Sequence, residues 1–178
     1  MWLAVLLMLS ADVNSILKSL ENPTTRAAAE RQLLQLAEAG DKEAQFQATL
    51  MRRQGRLATL GAKKADAWFQ VLLNERYPQA CLEQARTEID QNKDPEEHLR
   101  CAVAGKLPEA QYYLGRLILN RTAAEDEQER FDGLAYLALS AKSGYSPAIR
   151  RWELIAADLT QEDLERVEQK TKQMSSGG

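Results

Sequence analysis

The 178-residue chain contains few of the residues on which β-sheets depend. Val and Ile occur only five times each, and aromatic residues make up 6% of the sequence. Because strands are rich in β-branched and aromatic side chains, a large sheet is excluded. Ala and Leu, which favour helices, occur 26 times each. The chain is long enough for one domain with its own core, and we predict an all-α fold.

Positive charge and histidine are scarce as well. The 23 Lys and Arg residues are outnumbered by 26 Asp and Glu residues, and the net charge of -3 argues against nucleic-acid binding through bulk positive charge. A Ser–His–Asp arrangement would have to use His98, the one histidine, and no nucleophile elbow surrounds it. A glycine-rich phosphate loop is absent too. We therefore expect a protein that is not an enzyme and has no cofactor.

An apolar run at Trp2–Leu9 is too short to cross a bilayer, which requires about 20 apolar residues. The small pair Ser10-Ala11 follows it, as in the cleavage site of a secretory signal, but no basic residue precedes it. Residues 1–23 are therefore either a signal peptide or the beginning of the fold, with a first helix over 2–20. The balance tilts slightly towards export, which favours a periplasmic over a cytoplasmic location.

A pattern of small apolar residues, a turn residue and a following alanine recurs along the sequence. Its anchoring alanines are Ala44, Ala80, Ala110 and Ala148, which lie 36, 30 and 38 residues apart. Periods of this size indicate a stack of helical hairpins.

Prolines and glycines fit this organisation. All five prolines fall where helices are predicted to start, because proline suits the first helical turn. Glycine adopts the left-handed conformation of a helix end without steric cost, and four glycines stand at predicted ends: Gly40, Gly55, Gly105 and Gly144. The predicted helices cover residues 2–20, 24–39, 41–55, 62–75, 78–90, 95–104, 107–120, 127–143, 147–158 and 160–174.

The segment Ala110-Gln-Tyr-Tyr-Leu114-Gly115-Arg-Leu-Ile118, followed by Tyr136 and Ser140-Ala141-Lys-Ser-Gly144, resembles the Sel-one-like repeat (SLR) family, a relative of the tetratricopeptide repeats. Lys64-Ala65-Asp-Ala-Trp68 is similar to the family's second-helix motif, whereas Arg76 and Glu97 depart from the pattern.

This resemblance implies a right-handed α/α superhelix of about three to four helical hairpins with flanking capping helices. The repeats would occupy residues 24–158, and 159–178 would form a C-terminal capping helix and tail. Members of the family bind other proteins as adaptors or scaffolds, often in bacterial envelopes. Some are immunity proteins that neutralise a secreted antibacterial effector. The partner implied for this chain is therefore another protein, such as a secreted effector or an envelope protein.

In superhelices of this kind, the first helix of each hairpin lines the concave surface. The family's groove positions correspond here to Phe46, Leu50, Leu82, Arg86, Tyr112, Arg116 and Arg150. Tyr and Arg are enriched in binding hot spots, and a strip of arginines would suit an acidic partner segment. The other interpretation is that these are ordinary solvated side chains.

Cys81 and Cys101 lie near the start and the end of one predicted hairpin, so antiparallel pairing sets them side by side. We predict a Cα separation within the disulfide range of ~4.4–6.8 Å. Three interpretations stay open: two buried thiols, a disulfide in an exported protein, or a zinc site with His98, which would lack an obvious fourth ligand. The alternative to protein binding is a small metal-binding or catalytic protein that uses His98, Cys101 and Cys81.

Overall fold

The structure, a computed structural model, describes residues 12–122 and 126–176. These residues form ten α-helices and contain no strand, so the all-α prediction is confirmed. None of these helices combines the length and the apolar character needed to cross a bilayer. The contacts divide the chain into two compact units, Met1–Tyr77 and Pro78–Gly178. The division falls inside the segment 24–158 that we predicted as the repeat domain.

Unit 1 contains α1 (Val13–Ser19), α2 (Arg26–Glu38), α3 (Lys42–Arg53) and α4 (Ala62–Asn74). Each helix packs on the next one along the chain. Asp41 caps α3, because its Oδ1 accepts a hydrogen bond of 2.7 Å from the backbone N–H of Ala44. The core between the helices includes Leu33 and the anchoring Ala44, which are both fully buried.

Unit 2 contains α5 (Pro78–Asp90), α6 (Glu96–Ala104), α7 (Pro108–Arg121), α8 (Glu127–Lys142), α9 (Ser146–Ala156) and α10 (Gln161–Ser176). Helices α5 to α8 pack in chain order, and α8 then contacts both α9 and α10. Leu114 and Ile118 of α7 belong to one buried cluster, and Phe131 of α8 packs with Val167 of α10 in another.

The predicted helix boundaries agree with the structure to within two residues for the nine helices from α2 to α10. The first helix differs, because α1 begins at Val13 and Asp12 before it is an N-cap whose backbone is not helical, at ψ 132°. The predicted signal peptide, and the beginning of the helix predicted over 2–20, lie outside the described residues.

Glycine ends three of the helices as predicted, with positive φ angles at Gly40, Gly55 and Gly144. Gly105 also stands at its helix end as predicted, as the C-cap of α6. The expected left-handed conformation is wrong for it, because its φ is −83° and the left-handed residue is Lys106, at φ 56°. A Cβ atom at Gly105 would come within 2.4 Å of the Cβ of Pro78. Gly105 is therefore required by the close approach of the start of α5, and not by its own backbone conformation.

Candidate partner-binding surface

Three of the predicted groove positions lie where side chains of α5 meet the start of α7 and the turn before α9. Leu82 and Arg86 lie on α5, two and six residues after the fully buried Ala80. Tyr112 lies two residues after the equally buried Ala110 of α7. The repeated alanines fix which side of each helix faces the core, and they therefore orient the positions two and six residues later in the same way.

Arg86 does not present a free positive charge. Its Nε donates a hydrogen bond of 2.9 Å to Glu109 Oε1, and its guanidinium also lies 3.2 Å from the carboxylate of Glu83. The hydrogen bond to Glu109 is the largest influence on Arg86 and raises its pKa. Because two carboxylates surround it, Arg86 fixes the start of α7 beside α5, and its charge is compensated within the protein.

Three tyrosines form the centre of this region. The Tyr112 ring lies 5.4 Å, between centroids, from both Tyr113 and Tyr145. Tyr113 packs on the buried cluster around Leu114, so the two adjacent tyrosines serve different faces, as their spacing implies. Tyr145 is partly buried, and this burial raises the pKa of its hydroxyl. The cluster holds Tyr112 in place by aromatic contacts on two sides.

Arg116 lies one turn after Tyr112 and covers it. Its guanidinium carbon is 5.4 Å from the centroid of the Tyr112 ring, and Nη1 approaches the Tyr112 hydroxyl at 3.5 Å. Among the described residues no carboxylate forms a salt bridge with Arg116. The Arg116 guanidinium is exposed and lies over the ring of Tyr112. Arg and Tyr are both common in binding hot spots, and a cation over an aromatic ring is a favourable contact.

A shallow cleft of about 360 Å³ adjoins the tyrosines. Its lining includes Leu82, Leu107, Pro108, Tyr145 and the Arg86-bound Glu109. The lining is mostly apolar, and Glu109, which is paired with Arg86, contributes a carboxylate to it.

Two further residues of unit 2, Tyr145 and Leu154, were not predicted from the sequence. Tyr145 lies in the turn before α9, between Gly144 and Pro147, where the repeat pattern gives no contact position. Leu154 is 69% exposed and lies six residues after Ala148, the same offset as Arg86 and Arg116 have in their own helices. The repeat offset could have predicted Leu154.

Arg150 precedes Leu154 by one turn of α9, so both occupy one face of that helix. Arg150 is exposed, and within the described part of the chain it has no salt-bridge partner. It is one of several cations of unit 2 that form no salt bridge with a described residue. Among the described residues, neither a hydrogen bond nor a cation–π contact joins Arg150 to the tyrosines.

The predicted groove positions of unit 1 are in different surroundings. Phe46 is only 7% exposed and packs edge-on against Tyr77, with ring centroids 5.9 Å apart. The Tyr77 hydroxyl donates a hydrogen bond of 2.5 Å to Glu43 Oε2, and burial, reinforced by Glu43, raises the Tyr77 pKa. Leu50 lines a small cleft together with Leu20 of the α1 segment. Phe46 is thus a packing residue with little surface to offer a partner.

Cys81 and Cys101 are joined by a disulfide bond between α5 and α6. Their Cα atoms lie 5.9 Å apart, inside the predicted range, and the two residues are 1% and 3% exposed. His98 is paired with a carboxylate, since its Nδ1 lies 2.9 Å from a side-chain oxygen of Glu88. The described residues contain no group of three or more side chains that could hold a metal ion.

Comparison with known proteins adds no relative. The chain matches no protein-family model, and a search of the curated proteins finds no similar sequence.

Proposed function

We propose that this chain is a non-enzymatic protein-binding repeat protein, an adaptor or scaffold whose hairpins form a right-handed superhelix. The repeat spacing and the chain-order packing of helices inside each unit support this architecture. The binding residues lie in unit 2, and we call them the tyrosine–arginine surface: Leu82, Tyr112, Arg116, Tyr145, Arg150 and Leu154.

The observation that carries the proposal is the arrangement around Tyr112. Its ring is fixed by Tyr113 and Tyr145, it is covered by Arg116, which has no salt-bridge partner among the described residues, and an apolar cleft adjoins it. Preorganised aromatic side chains lose little conformational entropy on binding, and the nearby cation steers a segment of opposite charge. The ligand is an acidic segment of another protein that also carries an apolar side chain for the cleft.

A more specific role is neutralisation of a secreted antibacterial effector by an exported immunity protein. The buried disulfide is typical of proteins that fold in an oxidising compartment such as the periplasm. The apolar run Trp2–Leu9 and the small residues after it would serve export. Sequencing the amino terminus of protein recovered from the periplasm tests this, because export by a cleaved signal predicts a chain that begins close to Asp12.

Affinity purification from the native cell, followed by mass spectrometry, tests the binding surface. The wild-type chain is compared with Tyr112→Ala/Arg116→Ala and with Arg116→Gln/Arg150→Gln, which removes only charge. We expect both variants to lose the partner recovered by the wild type. A charge-matched control, Arg56→Gln/Lys63→Gln, changes unit 1 by the same amount and is expected to retain it.

The melting temperature of each variant is measured alongside. Partner recovery unchanged in Tyr112→Ala/Arg116→Ala, at an unchanged melting temperature, would remove the tyrosine–arginine surface from the proposal. A secreted toxin among the recovered proteins would identify the immunity role, whereas a structural envelope protein would identify the scaffold role.

A further inference from the structure

The charge of the chain is unevenly divided between the two units. Residues 1–77 contain 10 Lys and Arg against 8 Asp and Glu, while residues 78–178 contain 13 against 18. The excess in unit 1 is concentrated in residues 52–64, which contain five basic residues and no acidic one. We call these five the basic face: Arg52, Arg53, Arg56, Lys63 and Lys64.

The fold holds the basic face in a fixed position. It comprises the last turn of α3, the following loop and the first turn of α4. Leu57 and Leu60 of the loop are 0% and 3% exposed and belong to the core of unit 1. Arg26 Nη2 donates a hydrogen bond of 3.0 Å to the carbonyl oxygen of Arg56. The two buried leucines and this hydrogen bond therefore hold the loop in place, and its basic side chain, Arg56, is exposed.

Only part of this charge is compensated. Lys64 Nζ lies 2.6 Å from Glu38, and Arg53 lies 3.9 Å from Asp66. Arg52, Arg56 and Lys63 form no salt bridge with any described residue. Two carboxylates against five cations leave three charges uncompensated among the described residues. Arg56 and Lys63 are exposed, whereas Arg52 is half-buried and its Nε is buried.

The position of the lysines is unfavourable for the helix itself. Gly61 caps α4 without a side-chain hydrogen bond, and the first turn of α4 contains no acidic residue. Lys63 and Lys64 thus stand at the positive end of the helix dipole, where cations reduce helix stability. Residues that reduce the stability of a fold are expected at sites that serve a function, and these two lysines are such residues.

Apolar groups continue the basic face along α4. Lys64, Trp68 and Val71 recur at helical spacing on one side of the helix. The Lys64 ammonium lies 5.1 Å from the centroid of the Trp68 ring. Trp68 is partly buried, with one side packed against the core of unit 1 and the rest accessible. Val71 is 45% exposed, one of two large apolar side chains exposed among the described residues.

We propose that the basic face of unit 1 docks on an anionic membrane surface, with Trp68 and Val71 at the level of the lipid headgroups. Tryptophan favours the interface between headgroups and acyl chains, and Lys and Arg are attracted by anionic lipids. A nucleic acid is less suited, because contacts with phosphates would leave the exposed valine unused. The binding is peripheral, and it is independent of the tyrosine–arginine surface in unit 2.

Cosedimentation of the full chain with lipid vesicles tests this proposal. One set of vesicles consists of phosphatidylcholine, and the other contains about 30% phosphatidylglycerol as the anionic lipid. We expect binding to the anionic vesicles alone, and a decrease when salt is raised, since salt screens the attraction. Each cation near such a surface contributes roughly 1 kcal/mol, so Arg56→Gln/Lys63→Gln should lower the vesicle partition coefficient by about tenfold or more.

The charge-matched variant Arg116→Gln/Arg150→Gln is the control and should bind the vesicles as the wild type does. All variants share residues 1–11, so any membrane affinity of Trp2–Leu9 is the same in each. Equal binding to both kinds of vesicle, no binding, or equal losses in the two variants would overturn the proposal. So would displacement of the chain by a short DNA duplex that binds it more tightly than the vesicles do.

Discussion

The hairpins α5–α6 and α7–α8 of unit 2 follow the same sequence pattern, but different interactions hold the two helices of each hairpin together. A disulfide joins Cys81 to Cys101 in the first hairpin. The second has Gln111 and Ser140 at the corresponding positions, each directly next to a repeated alanine. There the helices approach so closely that a Cβ atom at Gly115 would lie 2.8 Å from the carbonyl oxygen of Gly133.

This difference shows how a repeat can keep its geometry while the stabilising interaction changes. The first hairpin depends on a covalent bond, whose contribution disappears in a reducing environment. The second depends on the absence of two side chains and on close packing, to which the redox state is irrelevant. Stability measured with and without reductant should therefore separate the two hairpins.

Loss of the disulfide should have the largest effect. The bond closes a loop over a sequence separation of 20 residues, and chain entropy predicts a loss of about 3 kcal/mol in the free energy of unfolding. Urea unfolding of the wild type, oxidised and reduced, measures this loss. Cys81→Ala/Cys101→Ala should be as unstable as the reduced wild type, and its own stability should not respond to reductant. Equal stability of the oxidised and reduced wild type would contradict the prediction.

Gly115→Ala should destabilise the second hairpin by about 1–3 kcal/mol. The added Cβ atom would collide with backbone at 2.8 Å and with Leu137 at 3.1 Å, so α7 and α8 must move apart. The gain in helix propensity from glycine to alanine, about 1 kcal/mol, offsets only part of this cost. Urea unfolding with and without reductant should give the same decrement, because the two hairpins are separate contributions. Gly61→Ala is the matched control, since no atom lies within 4 Å of its added Cβ.

Ser140→Ala should cost roughly 1 kcal/mol. Ser140 is fully buried, and its Oγ donates a hydrogen bond of 2.5 Å to the carbonyl oxygen of Pro108. Removal of the hydroxyl leaves that carbonyl without this donor at the start of α7. Ser143→Ala, at an exposed position just after α8, should leave the free energy of unfolding unchanged. A loss at Ser140 no larger than that at Ser143 would mean that the hydrogen bond contributes nothing.

The sequence predicted the helices of unit 2 well, because prolines, capping residues and repeated alanines each mark a boundary by a local rule. A glycine inside a helix is costly unless it serves a purpose, so Gly115 in the sequence indicates a close approach of two backbones. Its partner Gly133 was missed, because nothing local shows which residue of α8 faces α7. The same holds for Arg86, whose compensation by Glu109 depends on a contact 23 residues along the chain.

The surface of unit 1 was the least predictable part. Phe46 occupies the expected register, but it packs against Tyr77, a spacer position three residues before Ala80 to which the repeat pattern assigns no particular residue. The basic run from Arg52 to Lys64 is visible in the sequence. Its role as a fixed surface became apparent only with the burial of Leu57 and Leu60 beneath it.

The smallest expected effect concerns the ion pairs that connect the two hairpins. Arg121 at the end of α7 contacts Glu96 of α6 and Glu129 of α8. The hydrogen bond from Arg121, together with the pairing to Arg100, lowers the pKa of Glu96 below its usual value. A carboxylate whose pKa is lower in the folded state stabilises the fold above its unfolded pKa, and this contribution is lost as the pH falls through the folded pKa.

Glu96→Gln should therefore reduce stability at neutral pH and lose this effect in acid, where the wild-type carboxylate is itself protonated. The pairs are largely solvated, so we expect less than about 1 kcal/mol at neutral pH. Urea unfolding of both proteins, as the pH is lowered from neutral until the difference stops changing, measures the convergence, with Glu97→Gln as a control that removes the same charge one residue away. Arg121 connects α6, α7 and α8 through these pairs. If the free energies of unfolding of Glu96→Gln and the wild type differed by the same amount at every pH, the charge of Glu96 would contribute nothing to joining the two hairpins.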